Sequence, residues 1–350
     1  MTYSQSTQST QSTQALFQPF TIGNMTLPNR IVMAPMTRQF APGGVPGPDM
    51  AAYYRRRAEN GVGLIVTGGT LIDHPDTSHM ENIPRFFGEA ALAGWANAAA
   101  AVHEAGGRII PQLAHIGERG HVGDYSEAEL ADIVQAFARA ASAAKRIGFD
   151  GIELHGAHGF LIDQFFWEKT NPRNDRYGGD IAGRTRFAVE VIEASRRAVG
   201  PDFPIGLRFS QWKMSDYTAR LAETPEMLEQ ILAPLAEAGV DMFHLSTRRF
   251  WEPEFAGSEL NLAGWVKKLT GKPTITVGSV GLDGGFAKPD GKDAGAEAIG
   301  ALIARLERGE FDLVAVGRAL LADPAWASKI RDGRFDELIL FTPEAEQTLY

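Results

Sequence analysis

The chain has 350 residues, of which 43 are acidic and 34 are basic, so its formal net charge at pH 7 is −9. Hydrophobic residues make up 44% and charged residues 22%, which is ordinary for a globular protein and excludes a disordered or fibrous chain. The acidic balance argues against nucleic acid or an anionic membrane surface as the main partner. We therefore expect small-molecule partners, and a homo-oligomer is left open.

The sequence contains no cysteine, which excludes disulfides, thiolate nucleophiles and cysteine-bound metal or iron–sulfur centres. Any redox chemistry therefore needs a bound cofactor. No apolar run reaches the length of a membrane span, and the N-terminus lacks the pattern of a signal segment. These observations predict a cytoplasmic enzyme or binding protein.

We predict that residues 1–15 form a disordered polar tail, because residues 4–14 read SQSTQSTQSTQ and have no apolar surface to bury. Residues 16–350 predict one domain in which short apolar runs alternate with segments of helical period. The predicted strands are Ile31–Ala34, Leu64–Thr67, Arg108–Leu113, Gly151–Leu154, Ile205–Phe209, Met242–Leu245, Thr274–Val277 and Leu313–Val316.

Helix-length segments separate these strands. Ser126 and Glu129 have the spacing of a capping box, and Thr224 precedes a proline at the first helical position. Short strands that are apolar on both faces and alternate with helices predict a parallel sheet, and eight such units predict a single (β/α)8 TIM barrel. The predicted helices are Asp49–Asn60, Glu89–Ala105, Ser126–Ile147, Gly183–Val199, Thr224–Ala238, Asn261–Leu269 and Ala294–Arg308.

The functional site of a TIM barrel lies at the carboxyl ends of its strands. Glycine-bearing turns follow the last two predicted strands, where bare N–H groups and the Arg318 guanidinium can bind phosphate. Glycine is also common in such turns for structural reasons alone. Glu153 lies within a strand and is expected to point away from the barrel interior, so no carboxylate cluster and no metal site are predicted.

Three stretches resemble the old yellow enzyme family of FMN-dependent oxidoreductases. They read LFQPFTIGNMTLPNRIVMAPMTR at 16–38, GFDGIELHGAHGFLIDQF at 148–165 with NPRNDRYGG at 171–179, and DLVAVGRALLADP at 312–324. Their order and strand context match the family from about Leu16 to the C-terminal region. The resemblance implies noncovalently bound FMN that is reduced by NADH or NADPH.

The resemblance also implies which residues hold the flavin. Thr37 would bond near the carbonyl beside N5, Gln112 would hold the pyrimidine edge, and Arg208 would lie near N1 and stabilise the charge of the reduced flavin. Without the resemblance, Arg208 would be interpreted as a solvated or salt-bridged arginine. The implied cofactor-binding residues are Ala34, Pro35, Met36, Thr37, Gly69, Gln112, His155, Arg208, Gly278, Ser279, Gly317 and Arg318.

His155 and His158 match the pair of family side chains that bind an electron-withdrawing oxygen of the substrate, and they are the predicted catalytic residues. Two donors polarise an α,β-unsaturated carbonyl and stabilise the developing enolate. Their spacing also suits metal ligands, but no third ligand is evident. The structural alternative is two histidines that bond to backbone carbonyls.

Phe160 stands two residues after His158, where most members of the family have a tyrosine that donates a proton. The segment between His115 and Ser126 is shorter than is usual in the family, and the segment 281–293 is longer. Phe160, Phe250 and Trp251 are the predicted substrate-binding aromatic residues. A core or dimer contact is the ordinary alternative for the last two.

The predicted activity is FMN-dependent reduction of activated alkenes by NADH or NADPH through ping-pong hydride transfer. One alternative is a reductase or demethylase of the same family that acts on nitro compounds, nitrate esters or N-methyl groups. The other is a flavin-binding protein without turnover. The sequence does not indicate the physiological substrate or the preferred nicotinamide nucleotide.

Overall fold

A computed structural model describes residues 13–119, 121–282 and 294–350. Eight parallel strands form a closed barrel in the order β10-β3-β4-β5-β6-β7-β8-β9, which confirms the predicted TIM barrel. The barrel strands are β3 (Ile31–Met33), β4 (Leu64–Leu71), β5 (Arg108–Ala114), β6 (Ile152–His158), β7 (Ile205–Lys213), β8 (Met242–Ser246), β9 (Thr274–Val277) and β10 (Leu313–Val316).

Helices cover the outside of the barrel. Ser126 accepts a hydrogen bond from the Glu129 N–H while the Glu129 carboxylate accepts from the Ser126 N–H, so the predicted capping box is present, and Thr224 caps its helix as expected. The helices are α1 (Pro48–Glu59), α2 (Glu89–Glu104), α3 (Glu127–Arg146), α4 (Leu161–Phe166), α5 (Ile181–Val199), α6 (Pro225–Ala238), α7 (Leu262–Thr270), α8 (Ala294–Glu307), α9 (Arg318–Ala322) and α10 (Trp326–Arg331).

An antiparallel hairpin of β1 (Phe20–Ile22) and β2 (Met25–Leu27) precedes the barrel and was not predicted. Its buried Ile22, Met25 and Leu27 join the apolar side chains of the barrel interior in one cluster. Gly23 in its turn approaches Pro204, directly before β7. The hairpin therefore covers the amino-terminal end of the barrel. Within the described part of the chain, no helix combines the length and apolar character that a bilayer span requires.

Polar side chains occupy the part of the barrel interior that lies between the apolar cluster and the carboxyl ends of the strands. Glu153 on β6 is fully buried and contacts Gln112 of β5 and His244 of β8, so it points into the interior. This corrects the expectation that it faces away. Its neighbours are hydrogen-bond partners rather than further carboxylates, and the described residues hold no group of three metal-binding side chains.

The predicted tail of residues 1–15 lies mostly outside the described residues. The described part begins with a 3-10 helix at Thr13–Phe17, in which Leu16 is buried. Most of the long segment 281–293 also lies outside the described residues.

Candidate active site

A cavity of about 430 Å³ opens at the carboxyl ends of β3, β7, β8, β9 and β10. Its volume falls in the range of about 300–1,000 Å³ that is usual for small-molecule sites. Eight of the predicted cofactor-binding residues line it, namely Ala34, Pro35, Met36, Arg208, Gly278, Ser279, Gly317 and Arg318. A cavity of about 640 Å³ after β4 contains none of the predicted site residues, so we assign the active site to the first one.

The cavity is cationic. Its lining residues include Arg208, Arg248, Arg249 and Arg318, and no carboxylate is among those that the structure describes. Burial lowers the pKa of Arg208 to about 10, opposed by the attraction of Glu153, so the guanidinium is charged at neutral pH. Such a lining favours an anionic ligand.

Arg208 is held by a chain of buried hydrogen bonds. Its Nη1 lies 2.5 Å from His244 Nε2, and His244 Nδ1 lies 2.7 Å from the Glu153 carboxylate. Gln112 donates to the other carboxylate oxygen at 2.8 Å. Burial and the nearby guanidinium lower the pKa of His244 to about 4, so the imidazole is neutral and accepts from Arg208. This series of hydrogen bonds fixes the orientations of the Arg208 and Gln112 side chains.

Thr37, Gly69 and Gln112 lie together beside the cavity rather than in its lining. The Gly69 N–H donates to Thr37 Oγ1 at 3.2 Å, and a Cβ at Gly69 would come within 3.4 Å of Gln112 Oε1. Met36 lines the cavity next to Thr37, and Gln112 connects to Arg208 through the buried chain. The structure therefore brings these three residues to the edge of the same site.

Glycines shape the opposite side of the cavity. Gly278 and Ser279 both have left-handed backbone, with φ of 146° and 52°, and a Cβ at Gly278 would lie 2.7 Å from Thr247 Oγ1. A Cβ at Gly317 would meet no described atom closer than 3.8 Å. The main chain beside Gly317 therefore leaves space for a ligand, which suits the phosphate interpretation of these turns.

The two candidate catalytic histidines lie close together at the end of β6. Their ring centroids are 5.2 Å apart, His155 stacks on Phe160 at 4.2 Å, and His158 packs on Trp212 at 4.6 Å. His158 has left-handed backbone, with φ of 67°, and its Nε2 lies 2.7 Å from Ser246 Oγ.

Burial lowers the pKa of both imidazoles, to about 3 for His155 and well below the ordinary value for His158. The charge of Arg208 adds to this effect in both cases. Both rings are therefore neutral at pH 7, and each keeps one N–H group that can donate a hydrogen bond. His158 Nε2 contacts the Ser246 hydroxyl rather than a backbone carbonyl, which differs from the structural alternative for that ring.

Phe250 does not line the cavity, which corrects its prediction as a substrate-binding residue. It is 1% exposed and belongs to the apolar core, and its carbonyl accepts from Asn261 and Arg305. Trp251 packs edge-to-face on Phe250, 5.1 Å away, and also lies outside the lining. Both residues therefore fit the alternative interpretation, in which they pack in the core.

Trp212 and Tyr217 are the aromatic residues that line the cavity, and sequence analysis missed them. Trp212 follows Arg208 and Ser210 at alternate positions of β7, so the two-residue period of a strand was the available signal. Tyr217 stacks on Trp212 with centroids 5.4 Å apart, and the Arg248 guanidinium lies 4.3 Å from the Tyr217 ring centre. These side chains form the outer wall of the cavity.

The fold and the cavity together define a TIM-barrel protein with a cationic ligand site at the carboxyl ends of its strands. The model of the NADH:flavin oxidoreductase / NADH oxidase family matches residues 15–128 and 118–337. The chain belongs to this family, whose cofactor is FMN, and the predicted resemblance is confirmed.

Individual relatives agree with this assignment. The chain is 36% identical to an NADH oxidase of Thermoanaerobacter brockii over 92% of its own length, but it spans only 52% of that protein. It is 32% identical to a putative 12-oxophytodienoate reductase-like protein of Arabidopsis thaliana, covering 86% of this chain and 95% of that one. A structure of morphinone reductase in complex with tetrahydroNAD has a TM-score of 0.78 at 28% identity, covering 95% and 93% of the two chains.

Proposed function

We propose that the chain is an FMN-dependent oxidoreductase that takes hydride from NADH or NADPH and reduces activated alkenes such as α,β-unsaturated carbonyls in two alternating half-reactions. The observation that carries the proposal is that the cavity lined by Arg208 and the glycine turns adjoins the packed pair of His155 and His158, because Ser246 in its lining lies 2.7 Å from His158 Nε2. Relatives named as reductases and as an NADH oxidase support it.

The residues present fit FMN. Arg208 Nε and His155 Nδ1 are buried and have no hydrogen-bond partner among the described residues, so polar atoms at the site await a ligand. Arg318 with the main chain of Gly278, Ser279 and Gly317 would hold the phosphate. Arg208 and Gln112, with Ala34, Pro35, Met36, Thr37 and Gly69, would hold the ring system. Bound FMN supplies hydride transfer between a reduced nicotinamide and an acceptor.

The chain's own residues orient the acceptor and stabilise its charge. In the proposal, His155 and His158 donate N–H groups to the electron-withdrawing oxygen, which lowers the barrier to hydride addition at the β-carbon. Neutral imidazoles suit this role because each keeps one N–H donor at pH 7. Trp212 and Tyr217 would form the wall against which the acceptor lies.

Phe160 carries the second candidate function. It stacks on His155 but cannot donate a proton to the α-carbon. Reduction of nitro compounds or nitrate esters, or oxidation of N-methyl groups, does not require a proton from this position. We therefore retain these substrates as the alternative to alkenes, with nitro compounds and nitrate esters as hydride acceptors and N-methyl compounds as hydride donors.

The test uses the purified protein. We expect a visible flavin spectrum with about one FMN per chain, and bleaching of this spectrum under anaerobic conditions by NADH or NADPH. Reoxidation by a panel of enones, nitro compounds and nitrate esters then identifies the acceptor class. Protein that binds no added FMN would contradict the proposal, and flavin that no acceptor reoxidises would indicate binding without turnover.

A further inference from the structure

Ser246 connects two parts of the site. It is the last residue of β8, is 4% exposed and lines the cavity. Its hydroxyl oxygen lies 3.1 Å from Arg208 Nη2 and 2.7 Å from His158 Nε2. One side chain therefore contacts both a residue assigned to the cofactor and a residue assigned to the acceptor.

Counting protons selects one arrangement of these three groups. A guanidinium only donates hydrogen bonds, so the Ser246 oxygen accepts from Arg208. The hydroxyl has a single proton, and the acceptor within reach among the described residues is His158 Nε2. The opposite direction, from Nε2–H to the hydroxyl, would leave the proton of this nearly buried serine without an acceptor among the side chains that the structure describes. The Ser246 hydroxyl therefore donates, and Nε2 is unprotonated.

The second step is the protonation of the His158 ring. Burial and the nearby cationic side chains keep its pKa well below the ordinary value, so the neutral imidazole has one N–H. Because Nε2 accepts from Ser246, that N–H is on Nδ1. The ring is held by its packing on Trp212, 4.6 Å away, and its backbone N–H donates to Ser210 Oγ at 3.0 Å. The orientation of Nδ1 is thus set by neighbours on β7 and β8.

We propose that Ser246 is a positioning residue that holds His158 in the Nδ1–H tautomer and so makes Nδ1 the donor toward the electron-withdrawing group of the acceptor. This inference rests on the proposed function, in which His155 and His158 bind that group. The Ser246 hydroxyl also couples Arg208 to His158. A change in the hydrogen bonds of Arg208 should therefore alter the strength of His158 as a hydrogen-bond donor.

The direct test is NMR of the FMN-loaded protein with 15N-labelled histidine, in which His158 is identified by the signals lost in His158→Asn. We expect a protonated Nδ1 and an unprotonated Nε2 in the wild type. Ser246→Ala should shift the population toward the Nε2–H tautomer, whereas Ser246→Thr retains a hydroxyl and should keep the wild-type pattern. A protonated Nε2 in the wild type, or a tautomer unaffected by Ser246→Ala, overturns the proposal.

Binding of para-chlorophenolate, followed by its charge-transfer absorbance on oxidised flavin, distinguishes this inference from the proposed function. We expect the Kd to rise about tenfold in Ser246→Ala and to stay near the wild-type value in Ser246→Thr. If the tautomer shifts and the Kd does not, the positioning role stands and the assignment of His158 to the acceptor fails. If the Kd rises while the tautomer is unchanged, the positioning role fails.

Discussion

The two sides of the cavity are built in different ways. On the polar side, which β5–β8 form, side-chain hydrogen bonds join Gln112, Glu153, His244, Arg208 and Ser246. On the glycine side, at the ends of β9, β10 and β3, the surface consists of main chain and small side chains. Substitutions on the polar side should therefore disturb several groups at once, whereas the glycine side should respond to the size of one side chain.

The largest effect should come from the paired histidines at the edge of the polar side. Replacing both with His155→Ala and His158→Ala removes two donors to a charged oxygen, each worth about 1.5–3 kcal/mol, so phenolate affinity should fall at least about 100-fold. Titration by charge-transfer absorbance measures this loss, and His103→Ala, a histidine paired with Asp150 away from the cavity, is the control. Unchanged titrations would assign the pair to structure.

Arg208→Ala should have the next largest effect, on FMN itself. It removes a buried cation that is a hydrogen-bond partner of His244 and attracts the Glu153 carboxylate, so we expect the Kd for FMN to rise about 100-fold. Fluorescence titration of the apo-protein measures it. Arg55→Ala, at an exposed site on α1, should bind FMN as the wild type does. Equal affinity in both variants would mean that the polar side does not hold the flavin.

Phe160→Tyr tests the missing proton donor. A hydroxyl at this position should speed the half-reaction with cyclohexenone by about tenfold, because positioned proton transfer contributes about 100-fold or more when it is optimal. The half-reaction with NADH or NADPH should not change, since it needs no tyrosyl proton. Stopped-flow absorbance separates the two steps, and Phe335→Tyr is the matched control.

If the wild type already reduces cyclohexenone rapidly and Phe160→Tyr adds nothing, another donor acts. Tyr177 does not reach the cavity, because it is buried between Phe165 and Phe187 and donates to Glu190. Tyr125 is also outside the lining, whereas Tyr217 is part of it. Tyr217→Phe would then be the variant to examine, with ordered water as the remaining donor.

Gly317→Ala should give the smallest effect and is specific to the glycine side. The added methyl group meets no protein atom within 3.4 Å, so stability should be close to that of the wild type. If the cofactor passes over this residue, FMN affinity should still fall about fivefold. Gly47→Ala, where a methyl group also finds open space, is the control. Unchanged FMN affinity would place the ligand away from Gly317.

The sequence predicted the barrel because each strand contains an apolar run that neighbouring helices cover. The prediction made the strands too short at their carboxyl ends, where the site lies. β6 continues past Leu154 to His158 and β7 continues past Phe209 to Lys213. These extensions contain polar residues and glycine, whose local preference is not for strands, and they pair only because the adjacent strand supplies hydrogen bonds.

The site residues named from the resemblance mostly came together, while those chosen by residue type did not. Phe250 follows β8 in sequence, but its side chain is buried in the apolar core and does not line the cavity. Glu153 pairs with His244, which lies 91 positions further along the chain. No local pattern predicts the direction of either side chain, because both depend on contacts between strands that are distant in sequence.

The pairing of β10 with β3 has a consequence for synthesis. Val316 accepts from the Ala34 N–H, so the cavity joins residues from the beginning and the end of the domain. A nascent chain cannot pair β10 with β3 until β10 has left the ribosome, since contacts so distant in sequence form late. We therefore expect FMN to be acquired after translation of the barrel rather than during it, and truncation before β10 to abolish the site entirely.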